Sequence, residues 1–562
     1  MLVSLRAFAA LSALVTAVQA IPKVTRTGRY LYQEGGTRFY IKGIGYQPQG
    51  ERHDSDDNPF GEPGTFVDPL ADPAGCTRDL AHFQEASINT VRVYSVNSTL
   101  NHDECMQMFS DAGIYVILDL SIPLIGSIDR LAPSWSSNVL NVYLDTINAF
   151  TKYDNVIVYN IGNEVVLGET LNAAPYVKAA ARDIKAYLKS INSDALVGYA
   201  AINGASTFRK GLADYLSCGS EETAIDIYGL NEYSWCGADG SLEGSGYSTL
   251  TAEFADYNVV AYFSEYGCVR SPPRVWTEVD ALFSSDMSDV WSGGIAFNYF
   301  PAESDGQYGL VTISASGDLT PTSEFTALGE RYTAATGPDS PSRDSVPAST
   351  YPACGTTLAA SNTLPGTPDD DSCGCLQTAL SCQFRPRAGL DATGVSDIVG
   401  ELINVGCSLL DGAGGSCADI GGDGLTGVYG RVSGCDPQVK LSYVMSQFYE
   451  AEGRAAEACG FSGNATVNDS ASSTDSATAI ASSCVANPAA TLVPDLPSST
   501  TGGAAPTNTR NPAGGNTGNG NNSTGGNTNP NSGAIGLDST SSLVGVGAMA
   551  VIGVISGLWT LL

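Results

Sequence analysis

Between Ile21 and residue 335, apolar and β-branched positions cluster in short runs. Eight stand out: RFYIKGIGY (38–46), NTVRVYSV (89–96), IYVILDL (114–120), VIVYNIG (156–162), ALVGYAA (195–201), AIDIYGLN (224–231), VVAYFSEYG (259–267) and GGIAFNYF (293–300). Each is short for a helix and rich in Val, Ile, Tyr or Phe, residues that suit a pleated, buried surface. The stretches between them hold a different period. AAPYVKAAARDIKAYLKSIN (173–192) and EVDALFSSDMSDVWSG (278–293) place apolar residues at helical spacing with charges between them. Eight strands alternating with helices predict parallel βαβ units closing into a (β/α)8 TIM barrel.

The pattern changes beyond residue 335. Residues 336–370 are rich in Pro, Ser, Thr and Asp and read as a linker. Residues 371–484 carry eight cysteines, Cys373, Cys375, Cys382, Cys407, Cys417, Cys435, Cys459 and Cys484, a density that predicts a small disulfide-rich, mainly helical module. It contains no histidine, which argues against zinc. Residues 485–530 are Ser, Thr, Gly, Asn and Pro, a stalk too polar to fold.

Both ends bear targeting patterns. Residues 1–20 run from one Arg through an apolar stretch to Val18-Gln19-Ala20, a secretory signal peptide. Residues 531–562 begin with small residues at Asn531-Ser532-Gly533-Ala534 and end in an apolar tail with no basic segment after it. That order predicts GPI attachment, assigned to Asn531, and an extracellular protein held on the outer face of the plasma membrane or passed to the cell wall. Fourteen cysteines then imply up to seven disulfides. Sequons at Asn97, Asn464, Asn468 and Asn522 become candidate glycosylation sites. A net charge of −32 excludes nucleic acid as a natural partner.

The chemistry concentrates at two strand ends. The fourth run ends in Gly162, Asn163 and Glu164; the seventh ends in Glu265. A carboxylate closing a buried strand is costly unless it is used, and the C-terminal strand ends of a barrel form its active face. Two such glutamates predict a retaining glycosidase pair. Asn163 is placed to bond a sugar hydroxyl, Tyr233 to bond the nucleophile, and Arg92 on the second strand to keep Glu265 ionised. Trp235 and Tyr308 are candidate stacking platforms. Glu232 is the strongest competing carboxylate, ahead of Glu34 and Glu303. The only histidines, His53, His82 and His102, are too scattered for a metal site or a Ser-His-Asp triad, so no metal or cofactor is expected.

With those residues in view, the stretches KGIGYQ, DPLADPAGCTRDL, INTVRVYSVN, HDECM, DAGIYVILDLS, YNIGNEV, IYGLNEYSWCG, FSEYGC and SGGIAFNYF…YGLV are together similar to one family. The chain resembles the fungal GPI-anchored β-1,3-glucanosyltransferases of glycoside hydrolase family 72. Its cysteine-rich part resembles the carbohydrate-binding module of family 43. The resemblance implies Glu164 as acid/base and Glu265 as nucleophile, with Tyr94, Asn163, Tyr233 and Tyr299 lining sugar subsites. It implies a monomer that cuts an internal β-1,3-glucosidic bond and joins the new reducing end to the non-reducing end of another glucan chain. A plain β-1,3-glucan hydrolase and an inactive wall-anchored glucan-binding protein are the alternatives. It also implies disulfides Cys76–Cys105, Cys236–Cys268 and Cys218–Cys354, while pairing among the other eight cysteines stays open. The chain departs from the family pattern in DLSIPLIGSIDRLAPSW (119–135) and at Val269, loops expected to border the groove.

Overall fold

The computed structural model describes residues 20–50, 63–123, 126–301, 308–390 and 392–495. The signal peptide up to residue 19, His53, Glu303, stalk residues 496–530, Asn522, Asn531 and the GPI signal lie outside the described residues. The stalk expected from residue 485 starts later: residues 485–495 are held to the fold, with Arg431 Nη1 donating to Val485 O at 2.6 Å and Thr367 N to Ala490 O at 2.9 Å.

An antiparallel hairpin, β1 (Val24–Thr27) and β2 (Tyr30–Gln33), comes first. Eight parallel strands follow: β3 (Ile41–Gly45), β4 (Thr90–Val93), β5 (Tyr115–Asp119), β6 (Val156–Asn163), β7 (Leu196–Ile202), β8 (Ile227–Glu232), β9 (Val260–Tyr266) and β10 (Trp291–Ala296). They form a closed barrel in chain order, with β10 pairing back to β3. Each of the eight apolar runs contributes one strand. Every residue of β4, β5, β8, β9 and β10 is buried. Helices cover the outer face and side chains fill the inner one, which is why these strands appear as continuous apolar runs without alternation.

The covering helices are α1 (Pro73–Glu85), α2 (Asp103–Asp111), α3 (Ser137–Phe150), α4 (Ala174–Ser190), α5 (Ser206–Ser217), α6 (Tyr247–Glu253), α7 (Thr277–Leu282) and, after a short hairpin of β11 (Val311–Ile313) and β12 (Leu319–Pro321), α8 (Ser323–Ala334). The helix expected over 278–293 is shorter than its apolar spacing suggested. It ends at Leu282, and Phe283, Met287 and Val290 are buried from turns before β10 begins. Apolar spacing identified the buried positions but not the backbone that carries them.

Ile21, Val24, Leu31 and Phe39 pack with Ile41, Ile117, Val158, Ile227, Val260 and Ile295 in one cluster. The hairpin therefore plugs the N-terminal end of the barrel and leaves the C-terminal end for chemistry. The expected linker, 336–370, lies against the barrel. Tyr40 and Tyr32 donate hydroxyl bonds of 2.8 Å to the carbonyls of Pro338 and Pro341, Cys354 is joined to Cys218, and Thr367 donates to buried Asp183 at 2.7 Å.

The cysteine-rich part is built on α9 (Asp370–Ala379), α10 (Ala392–Gly412), α11 (Pro437–Ala451) and α12 (Ala477–Cys484). Two small ladders complete it: β13 (Cys382–Phe384) with β16 (Ala465–Val467), and β14 (Gly422–Asp423) with β15 (Val428–Tyr429). Its disulfides are Cys373–Cys435, Cys375–Cys484, Cys382–Cys459 and Cys407–Cys417. The part docks on the barrel helices. Ser137 N donates to Gly434 O at 2.9 Å, Asn141 to Asp370 at 2.8 Å, and Tyr429 meets Tyr176 edge-on at 5.5 Å. Among the described residues no helix is long and apolar enough to cross a membrane.

Two of the expected glycosylation sites have their amides engaged within the fold. Asn464 is 1 % exposed and its amide donates to the Phe461 carbonyl. The Asn468 amide donates to the carbonyls of Thr378 and Leu380 at 3.0 and 2.9 Å. An N-linked glycan takes one of the two amide hydrogens and needs open space beyond it. Asn468 donates two bonds and would lose one, and Asn464 is enclosed, so the folded module disfavours a glycan at either. Asn97 is half-buried, with its Oδ1 accepting from Thr99 Oγ1 at 2.8 Å.

Candidate active site

Both acid-bearing strands are irregular just before their glutamate. The β6–β7 register slips between Asn160 and Asn163, and the β8–β9 register slips between Leu230 and Asn231, so that Asn231 pairs with Glu265. Bulges of this kind re-aim side chains beside active sites. Glu164 itself takes a left-handed backbone conformation, φ +49°, with its N–H bonded to Ala200 O at 2.8 Å. That conformation is strained for a residue with a Cβ.

Arg92 is the hub. It is fully buried. Its Nη1 donates to Glu265 Oε1 at 3.2 Å and to Ser264 O at 3.1 Å. Its Nη2 donates to Asp119 Oδ2 at 2.7 Å and to Asn163 Oδ1 at 2.9 Å. One guanidinium thus holds Glu265 and the residue next to Glu164. The fork geometry requires arginine; a lysine could not reach these acceptors together. On the other side, Asn231 donates to Glu164 Oε1 at 2.6 Å and to Asn163 Oδ1 at 3.3 Å, while its own Oδ1 accepts from Ser264 Oγ at 2.7 Å.

Glu265 is buried against this network, and burial pushes it up to about 7. Arg92 pulls in the opposite direction, Glu164 adds to the rise, and the hydroxyl bond from Tyr233, 2.8 Å to Oε2, lowers it. The Tyr233 phenol is held well above its ordinary range by burial and by the Glu265 charge, so it stays a donor. Tyr94 stacks on Arg92, 4.2 Å from Cζ to ring centre. Gly45, at the end of β3, admits this crowding: a Cβ there would lie 2.7 Å from Asn298 Oδ1 and 3.4 Å from the Tyr94 hydroxyl.

Phe297 and Tyr308 complete the wall. Tyr308 meets Tyr233 at 5.8 Å and Phe297 at 5.4 Å, both edge-on, and Phe297 meets Tyr94 at 6.1 Å. Two expected wall residues are absent from it. Tyr299 is fully buried, its hydroxyl 2.8 Å from both Asp79 Oδ1 and His82 Nδ1 and its ring packed on Tyr46, Phe83 and Phe300. Trp235 is also buried, with its indole N–H on Thr277 Oγ1 at 2.9 Å and its ring against Tyr247. It offers no open stacking face.

The competing acids are accounted for. Glu232 turns to the opposite side of β8 from Asn231, where Ser234 N and Asn203 bond its oxygens. Glu34 is exposed in the hairpin region. His82 bonds Tyr299, and His102 bonds buried Asp68 at 2.8 Å. Among the described residues no cluster of His, Cys, Asp or Glu could hold a metal ion. Sequence reasoning missed Asp119 and Asn231. Asp119 closes the apolar run IYVILDL just as the two glutamates close theirs, so the same criterion applied to the third strand finds it.

The structure pairs Cys76–Cys105, Cys218–Cys354 and Cys236–Cys268. The last ties the loop after Tyr233 to the loop after Glu265.

A barrel with two glutamates at its fourth and seventh strands, linked through Arg92, Asn163 and Asn231, defines the double-displacement glycoside-processing class. Residues 11–336 match the glucanosyltransferase family, glycoside hydrolase family 72, and residues 380–466 match the X8 domain. The chain belongs to that family and is a glucanosyltransferase. It is 40% identical to the 1,3-beta-glucanosyltransferase gas1 of Schizosaccharomyces pombe over 457 residues, 80% of this chain and 79% of that protein. It is 36% identical to the 1,3-beta-glucanosyltransferase GAS2 of Saccharomyces cerevisiae, covering 75% of each. Among solved structures, a Glu-to-Gln mutant of S. cerevisiae Gas2p in complex with laminaritetraose and laminaripentaose superimposes with a TM-score of 0.71 at 34% identity. The match covers 83% of this chain and 99% of that one.

Proposed function

We propose that this enzyme elongates and remodels fungal cell-wall β-1,3-glucan by retaining transglycosylation, with Glu265 as nucleophile and Glu164 as acid/base. Glu265 attacks the anomeric carbon at an internal β-1,3 bond while Glu164 gives its proton to the departing glycosidic oxygen. The covalent glycosyl-enzyme has inverted configuration. Glu164, now ionised, takes the proton from the 3-hydroxyl at the non-reducing end of a second chain. That oxygen displaces Glu265, restoring the β configuration and leaving a longer glucan. Arg92 balances Glu265 while it is charged, and Tyr233 orients the oxygen it bonds. Asn163, whose Oδ1 is occupied by Arg92 and Asn231, has its amide nitrogen to offer a sugar hydroxyl.

The observation that carries this reading is the single guanidinium joining Glu265 to Asn163, the neighbour of Glu164. Glucan binding is supported by the laminari-oligosaccharides held by Gas2p. Extracellular action is supported by the density of disulfides, and attachment through a GPI anchor by the C-terminal sequence pattern. A monomer is the working form in this reading. The test is incubation with a reduced laminari-oligosaccharide. Products longer than the substrate support transfer; products that are only shorter reject it in favour of hydrolysis.

A further inference from the structure

Arg274 lies in the loop after β9, outside the acid pair, and is 3 % exposed. Its fork reaches three other places in the chain. Nε donates to Glu324 Oε2 at 2.6 Å, at the start of α8, and the Arg274 backbone N–H donates to Glu324 Oε1 at 2.8 Å. Nη1 donates to Phe297 O at 2.7 Å, and Nη2 to Tyr308 O at 2.8 Å. The guanidinium lies 4.8 Å from the ring centre of Trp276. Trp276 is fixed in turn by its indole bond to Glu324 O at 2.9 Å. Phe297 and Tyr308 are the two rings that meet Tyr233, at 6.5 and 5.8 Å. Tyr233 is the residue that bonds Glu265.

We propose that Arg274 is a positioning residue for transglycosylation: by gripping the carbonyls of Phe297 and Tyr308 it sets the ring wall that holds Tyr233 on Glu265. The physical reason is geometric. Closely packed rings have little slack, so a shift of the backbone that carries one is passed to its neighbour. Errors near 1 Å at a reacting centre cost on the order of a hundredfold in rate. Only a forked cation can hold a carboxylate and two carbonyls of different segments together. A lysine would keep the charge beside Glu324 and lose the grip. The inference rests on Glu265 being the nucleophile.

The test uses the full secreted chain carrying Arg274→Lys, Tyr233→Phe, both together, and Glu265→Gln as reference. Arg274→Lys is expected to lower kcat by about tenfold or more, with a smaller change in KM. It is also expected to move the acid limb of kcat/KM to higher pH, as Tyr233→Phe does, because each loosens the hydroxyl bond that favours ionised Glu265. Arg92, Glu164, Tyr94 and Tyr233 are the groups that face this carboxylate; Tyr94 meets the wall at Phe297 alone, whereas Tyr233 meets both of its rings. The double variant is expected to be no worse than the poorer single variant. An Arg274→Lys protein that melts lower but keeps the wild-type limb overturns the proposal, since loss of packing alone leaves that limb in place. Additive effects with Tyr233→Phe overturn it as well. If Arg274→Lys is not secreted, Glu324→Ala carries the same readout, with a shifted limb in support and an unshifted limb against. A Glu265→Gln protein with full activity would instead refute the nucleophile assignment, a separate failure.

Discussion

Arg92 and Glu265 form a buried ion pair, 3.2 Å from Nη1 to Oε1, in which the arginine is shared with Asp119 at 2.7 Å. Replacing Arg92 by Met would leave two buried carboxylates without their shared cation. Removing one member of such a cluster destabilises by about 3–5 kcal/mol. The Arg92→Met protein is therefore expected to unfold at markedly lower denaturant than wild type, and Arg92→Met with Asp119→Asn to recover part of the loss. Urea titration followed by tryptophan fluorescence checks both.

The pH dependence follows from the burial of Glu265. Its carboxyl is pushed up to about 7, and the nucleophile must be ionised to attack. kcat/KM is expected to fall as pH drops below about 7. Because the Glu164 charge contributes to the rise, Glu164→Gln should move the Glu265 titration to lower pH. A 13C-NMR titration of the glutamate carboxyls measures this directly.

The same shift has a consequence for stability. A carboxyl that binds its proton more tightly in the folded state favours folding fully below its unfolded value, and that contribution is lost as pH rises through the folded one. Wild type should lose stability across the interval from the ordinary glutamate range to about 7. Glu265→Gln lacks this titration. The variant should gain on wild type by roughly 2–4 kcal/mol as pH rises through that window. Melting temperatures at several pH values provide the comparison; a constant difference would contradict the burial argument.

Glycan placement gives an independent check. Peptide mapping of the secreted protein should find Asn97 modified and Asn464 and Asn468 bare, because the latter two amides are committed inside the module. Asn464→Gln should leave electrophoretic mobility unchanged.

The barrel was legible because every strand is buried on both faces, which makes each an unbroken apolar run. The two glutamates were legible because a carboxylate interrupts such a run only where it has a task. Asn231 was hidden beside Glu232: with a period of two, one member of the pair faces the mouth, and the bulge that decides which has no signature in residue type. Tyr299 and Tyr308 were both expected at the groove, and only Tyr308 stands there, for a related reason. Both follow the last strand, and the backbone after Ala296 determines which ring turns into the core. The module pairing was beyond reach because eight cysteines close through tertiary contacts that spacing does not encode.

The most direct measurement is the product spectrum from a defined reduced laminari-oligosaccharide, wild type beside Glu265→Gln. Chains longer than the donor are expected from wild type and none from the variant, with both proteins folded and binding glucan. Elongated products from the variant at the wild-type rate would contradict the assignment of Glu265 as nucleophile.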